Sequence, residues 1–252
     1  MTRFSQILAG FGALLTVTAP AMAQDWTGGY AGVQFGTVVT SDEGIFSLSP
    51  FPAGGALAMA FSPSPAVPDA GFFGEAASGN IAGLHYGYDW QNGSMVYGVV
   101  ASLFSTDISD KQQGKSRTPA VYTIERSLDT YATLGGRLGY LVQPATLIYG
   151  TAGLALGQVD FAYAQPGSGA ATTTSGGQDS EIGYAIGFGV ENRVTERVSI
   201  GVEYSYVNLG GNDYTANLRN GPFSAAAPST NAMGSDGDFD FGTLQLKLSY
   251  RF

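Results

Sequence analysis

Residues 244–252 read LQLKLSYRF. Leu244, Leu246, Leu248, Tyr250 and Phe252 alternate with Gln245, Lys247, Ser249 and Arg251, which puts the apolar side chains on one face of an extended strand. A strand of this kind separates a nonpolar medium from a polar one.

The same pattern recurs along the chain. Ala31, Val33 and Phe35 stand against Tyr30, Gly32, Gln34 and Gly36; Ala82, Leu84, Tyr86, Tyr88 and Trp90 stand against Gly83, His85, Gly87 and Asp89. Met95, Tyr97, Val99, Ala101 and Leu103 share a face, and Leu134, Leu138 and Tyr140 oppose Thr133, Gly135, Arg137 and Gly139. Tyr184, Ile186, Phe188 and Val190 alternate with Ala185, Gly187, Gly189 and Glu191. Val198, Ile200, Val202, Tyr204 and Tyr206 alternate with Ser199, Gly201, Glu203 and Ser205. The stretch LIYGTAGLALG, 147–157, is also strand-like, but its facing is ambiguous. With the final stretch these make eight strands.

The minority face decides the medium. Were it wetted, as in a soluble sandwich, it would carry many Lys and Glu. It carries Gly, Ser and isolated charges instead, as a crowded polar interior requires. Apolar side chains then point out, toward lipid. Composition agrees: 37 Gly, 15 Phe and 14 Tyr accompany only 12% charged residues, and mean hydropathy is near zero. A net charge of −9 disfavours nucleic acid, which needs a basic face. The absence of Cys excludes disulfides, c-type haem and thiolate metal sites.

Arg3, the apolar run ILAGFGALLTV and the A-x-A sequence at 21–23 have the form of a signal peptide, so residues 1–23 are expected to be removed. The mature barrel domain then covers 24–252 and, without Arg3, carries a net charge of −10. No later segment has the ~18 apolar residues of a membrane helix, whereas barrel strands need only about 9–11. The links after Trp90, Tyr140 and Glu191 are short, while those after Thr40, Phe104, Phe161 and Tyr206 are long. That alternation predicts an all-β, eight-stranded, antiparallel, up-and-down transmembrane barrel, with tight periplasmic turns, external loops and periplasmic termini.

Several stretches resemble the small outer-membrane β-barrel proteins of Gram-negative bacteria, in the opacity/porin-like and OmpA-barrel group and nearest those of alphaproteobacteria. They are WTGGYAGVQFG (26–36), GLHYGYDWQNGSMVYGV (83–99), GRLGY (136–140), LIYGTAGLALG, GFGVENRVTERVSIGVEYSYVNLG (187–210) and LSYRF (248–252). The resemblance covers nearly every strand and almost none of the loops. On the third strand this chain has Val100 and Ser102, where the family often has inward acidic residues. The resemblance implies envelope support, with surface loops open to adhesion, antigenic recognition or another host or surface partner. Outer-membrane lipid and lipopolysaccharide are the implied surroundings. It also implies that Leu244, Leu246, Leu248, Tyr250 and Phe252 form a signal read by the barrel-assembly machinery. The alternative role is a narrow porin-like channel for ions or small solutes.

Alternation places His85, Asp89, Arg137, Glu191, Glu203, Lys247 and Arg251 inside the barrel. Buried charges require partners. Glu203 and Lys247 are therefore expected to be neighbours, with Glu191, Asp89, Arg137 and Arg251 clustered nearer the periplasmic end. His85, the one histidine, falls inside near mid-strand, beyond a substrate's reach, so catalysis is not expected. No cofactor and no protein-built metal site is expected either. DGDFDFG at 236–242 lacks the Gly and Glu of a calcium loop, with a divalent cation bridging Asp236, Asp238 and Asp240 to lipopolysaccharide phosphates as the sharper reading of that stretch. A bulge at Gly242 is expected there, turning Phe239 and Phe241 outward. NGS at 92–94 reads as a hairpin turn. The Pro-rich loop 41–79 is expected to lie irregular over the barrel mouth, with a partner surface as the sharper reading. Lys111, Lys115, Arg117 and Arg126 read as a solvated external loop, with contact to anionic lipopolysaccharide as the sharper reading.

Overall fold

The computed structural model describes residues 25–41, 44–49, 56–118, 120–165, 171–175, 178–211, 214–219, 230–234 and 238–252. The expected leader and Asp236 lie outside them. In chain order the elements are β1 (Gly28–Thr40), β2 (Phe46–Ser49), the short helix α1 (Ala56–Ala60), β3 (Gly71–Ser78), β4 (Asn80–Asn92), β5 (Met95–Lys115) and β6 (Val121–Gln143). There follow β7 (Thr146–Ala164), β8 (Ala171–Ser175), β9 (Gln178–Arg193), β10 (Val198–Gly211), β11 (Thr215–Arg219), β12 (Thr230–Gly234) and β13 (Asp238–Arg251).

Eight antiparallel strands close into a ring: β1, β4, β5, β6, β7, β9, β10, β13 and back to β1. Closure leaves no unpaired edge within the ring, the condition for crossing a bilayer with strands. Each of the eight stretches read from the sequence forms one strand of this ring. At one end, here the turn end, Gly93–Ser94, Pro144–Ala145 and 194–197 join neighbouring strands. Gly93 takes φ 61°, the left-handed value that such a tight hairpin demands. The alternation of 147–157 resolves with Leu147, Tyr149 and Ala155 buried inward and Ile148, Leu154 and Leu156 exposed outward. Two apolar residues on the inner face made that stretch hard to read.

The outward apolar face runs nine residues on several strands: Met95 to Leu103, Ile148 to Leu156, Ile182 to Val190 and Leu244 to Phe252. At ~3.3 Å per residue and a tilt of ~40° this covers about 20 Å, close to the ~25 Å apolar band of outer-membrane barrels. Past it, toward the loop end, the outward residues are Ser105 and Asp107 on β5, Gln158 and Asp160 on β7, and Asp240 on β13. Aromatic side chains gather at the turn end, where Trp90 lies between Tyr88 and Tyr97 with ring centroids 4.9 and 5.9 Å away. No described helix is long and apolar enough to cross a membrane.

The loop end differs from expectation in three ways. The segment after Phe104 is not a long loop, because β5 and β6 continue as paired strands of 21 and 23 residues joined at 116–120. The 41–79 segment is not irregular, since β2, α1 and β3 lie within it, and β3 pairs with the extended part of β5. In addition, β2, β12, β11 and β8 form a separate four-stranded antiparallel sheet. Phe46, Leu48, Ala216, Leu218 and Ala232 from that sheet pack with Phe61 and with Tyr122 and Ile124 of the extended β6. Three loop-end connections and one hairpin thus share a core, a two-layered head over the barrel mouth. Short strands without a local apolar face bury enough surface only together, which is why none was apparent singly.

A further expectation concerned Gly242. Residues 239, 241, 243, 245, 247, 249 and 251 are all buried, and Phe241, Gly242 and Thr243 pair with Val207, Tyr206 and Ser205 without a shift, so β13 carries no bulge there. The register shift lies in β1, between Val38 and Thr40, and leaves β13 straight. Phe239 and Phe241 accordingly point inward, where an apolar plug receives them.

Candidate functional site

The barrel interior is built in layers, and its lower layers rest on one local rule. An inward glycine on one strand lets the residues on its two flanking strands, in the same hydrogen-bonded row, meet over it. Asp89, Gly98 and Arg137 form such a row, and Arg137 donates to Asp89 Oδ2 at 3.2 Å. Tyr149, Gly189 and Glu203 form another, with Tyr149 Oη donating to Glu203 Oε2 at 2.7 Å. His85, Gly32 and Ser249 form a third, with His85 Nε2 and Ser249 Oγ 2.9 Å apart. A Cβ on Gly189 would stand 2.7 Å from the Tyr149 ring, and one on Gly32 would stand 2.6 Å from the His85 ring. The inner glycines are therefore the space that the large polar groups occupy.

These contacts join into a polar floor toward the turn end. Arg137 donates to Asp89 and to Glu191, one carboxylate per guanidinium nitrogen, and its carbon lies 3.9 Å from the Tyr149 ring centroid. Glu191 also accepts from Ser199 Oγ at 2.5 Å, and Asp89 from Arg251 Nη2 at 2.8 Å. Lys247 Nζ donates to Glu203 Oε2 at 2.8 Å. Three carboxylates thus face three cations, and none of these six residues nor His85 is more than 9% exposed. Burial at that level needs such pairing, because a lone charge there costs several kcal/mol.

Trp26 closes the turn end, and sequence reasoning had not singled it out. Its side chain is fully buried, its indole N–H donates to Pro144 O at 3.1 Å, and its backbone N–H donates to Gln91 Oε1 at 2.7 Å. Arg193 and Arg251 lie 5.2 and 5.3 Å from its ring centroid. Arg251 also donates to Trp26 O at 2.5 Å and Gly28 O at 3.2 Å. The only sequence signal was a tryptophan just before the first alternation.

Above the floor the interior turns apolar. Tyr131 stacks on Phe104 with centroids 4.3 Å apart and meets Phe241 edge-on at 5.6 Å. Ile108, Leu128, Val159, Val207, Leu209 and Phe239 complete this plug. Higher still, Asp110 and Arg126, directly opposed on β5 and β6, form a buried bidentate pair, and Arg126 Nη1 donates to Asp238 O at 2.9 Å.

The basic cluster is not a solvated loop. Arg126 is buried, Lys111 lies 3.6 Å from Glu125, Lys115 bonds Asp69, and Arg117 donates to Ser62 O and Pro63 O at 2.8 and 3.0 Å. Lys115 holds the exposed Asp69 carboxyl below its usual range through that hydrogen bond. Asp240 accepts from Tyr206 Oη at 2.5 Å and Asp238 from Asn208 Nδ2 at 3.1 Å. Among the described residues no group of three or more His, Asp or Glu is placed to hold a metal ion.

The last strand seals the ring. Leu246, Leu248, Tyr250 and Phe252 are exposed outward and Leu244 is half-buried. The Phe252 ring stacks on Tyr86 at 6.3 Å, and its N–H donates to Gly29 O at 3.1 Å. Leu246→Arg should sharply reduce assembly, because a cation on the lipid face near the midplane costs about 2–4 kcal/mol. Lys247→Gln keeps an inward polar group and should be the milder change. Outer-membrane yield and heat-shifted gel mobility of the two variants, side by side, check this; equal yields would overturn the facing.

The chain is similar to known proteins. Over 250 residues the chain is 28% identical to the 31 kDa outer-membrane immunogenic protein of Brucella melitensis biotype 1, covering 93% of this chain and 87% of that one. Over 139 residues it is 35% identical to the 22 kDa outer membrane protein of Rhizobium leguminosarum bv. viciae, a match spanning 55% of this chain and 56% of that relative. In fold it resembles the outer membrane protein OprG of Pseudomonas aeruginosa, with a TM-score of 0.52 at 15% identity over 91% of this chain and 98% of that one. The outer membrane protein beta-barrel domain model matches residues 9–252, and the chain belongs to that family.

Proposed function

We propose that this outer-membrane barrel is a closed structural element that carries a folded external head for surface contact. The filled interior is the observation that supports this reading. Ion pairs occupy the lower lumen, stacked aromatics the upper, and Trp26 the turn end, all buried. On this reading the 1–23 leader directs export, both termini are periplasmic, and the head faces outward. The immunogenic name of the Brucella relatives accords with an exposed head. The surroundings are lipid and lipopolysaccharide, which meet the apolar band rather than the internally paired cations of the head. Leu244, Leu246, Leu248, Tyr250 and Phe252 present an outward apolar stripe that the assembly machinery can read, and a host or other surface partner would meet the head.

A narrow channel is the competing role, and planar-bilayer recording of refolded protein separates the two. The expected result is no steady unitary conductance. Discrete, long-lived conductance steps would overturn the closed-barrel reading.

A further inference from the structure

Between the ionic floor and the aromatic plug lies a belt of buried polar atoms that neither layer uses. Gln34 is 1% exposed, and both of its side-chain amide atoms lack a hydrogen-bond partner in the protein. His85 Nδ1, Gln245 Oε1 and Tyr131 Oη are likewise buried and unpartnered. The register brings them together. Gln34, Gly83, Phe104 and Tyr131 occupy one hydrogen-bonded row, in which the Phe104 ring lies over Gly83. His85 is two residues from Gly83 along β4, and Gln245 is two residues from Lys247, the β13 partner of Gln34. Both are therefore diagonal neighbours of Gln34, within reach of a bridging group.

The chemistry of the belt is neutral and mixed. Gln34 Nε2 and Tyr131 Oη offer donors; Gln34 Oε1, Gln245 Oε1 and one imidazole nitrogen offer acceptors. A cation would find the single amide N–H set aimed at it, and a carboxylate would find too few donors. A molecule that both donates and accepts satisfies every member. Beyond His85 in its row come Ser102 and Thr133, small inward hydroxyls that retain some exposure and do not fill the lumen as the aromatics above them do. Five unpaired buried polar atoms in one place far exceed what a folded interior tolerates, and a buried water usually makes about three hydrogen bonds to such groups.

We infer that this belt is a binding site for buried water, a sealed hydration layer that joins the floor to the plug through Gln34. The lumen is then filled but not dry. Water held there is cut off from bulk by Tyr149 and Arg137 below and by Phe104, Tyr131 and Phe241 above.

The sign of a stability change tests this. In a hydrated belt, Gln34→Leu strands water and its remaining partners, and the midpoint of heat-induced gel-mobility shift should fall by roughly 2–8 °C. In a dry belt the same change removes two buried amide atoms that have no partner, so the midpoint should stay or rise. Where that variant fails to fold, the wild-type barrel in detergent micelles answers alone. Magnetisation transfer from long-lived water to the Gln34 side-chain amide is expected. A raised midpoint, or no such transfer at an assigned Gln34 amide, would overturn the proposal.

Discussion

Arg137→Leu is expected to destabilise the barrel by about 3–5 kcal/mol, because it removes a cation that touches two buried carboxylates. Asp89 keeps Arg251 and Glu191 keeps Ser199, but each loses its bond to the guanidinium. The Tyr149 ring also loses the cation 3.9 Å from its centroid. Arg137→Lys should recover little, since one ammonium cannot reproduce a planar fork that reaches β4 and β9 at once. Pairing the change with Glu191→Leu should restore part of the loss, because it removes one of the stranded charges. Urea unfolding of refolded protein, followed by gel mobility and tryptophan emission, gives the three values. A single variant within 1 kcal/mol of wild type would mean that the floor is wetter than its burial indicates.

Trp26→Ala should cost about 3–5 kcal/mol, and almost all of it should appear in the unfolding rate. Trp26 touches residues that lie 65, 118 and 225 positions away in sequence: Gln91, Pro144 and Arg251. Those partners come from the end of β4, from the β6–β7 turn and from the last strand, so the full set exists only after β1 has met β13. Contacts that form after the transition state slow unfolding and leave folding nearly unchanged. The refolding rate should therefore stay within about twofold while unfolding speeds up by a factor of 100 or more, since each ~1.4 kcal/mol is tenfold. Stopped-flow and manual-mixing kinetics in urea measure both arms. A variant that refolds slowly but unfolds at the wild-type rate would place Trp26 in the nucleus instead of at the closure.

Both predictions rest on contacts that local patterns do not contain. The alternation of residues 244–252 was sufficient to place Lys247 and Arg251 inside and Leu246 toward lipid, because a strand's side chains change face at every residue whatever surrounds it. The pairing of Lys247 with Glu203 was also within reach, since charges inside a closed lumen must find partners. The Asp110–Arg126 pair was missed because β5 and β6 were ended too early. Their extension carries polar residues on both faces, and its strand character comes from pairing with β3 and with each other. Phe239 and Phe241 were misplaced for a different reason. Two inward phenylalanines looked wrong for a polar lumen until the plug of Tyr131 and Phe104 was there to receive them.

Sequence alone therefore determined the ring of eight strands, the outward apolar band, the tight turns and the inward position of each candidate charge. Those features follow from a period of two residues and a nonpolar surrounding, both local. Tertiary structure decided which inward residue meets which, because that depends on stagger between strands far apart in the chain. Only closure of the ring between β1 and β13 brought Arg251 to Asp89 and laid Trp26 under the floor. The head likewise needed the whole molecule, since none of its short strands buries enough surface to hold its own shape until the other connections cover it.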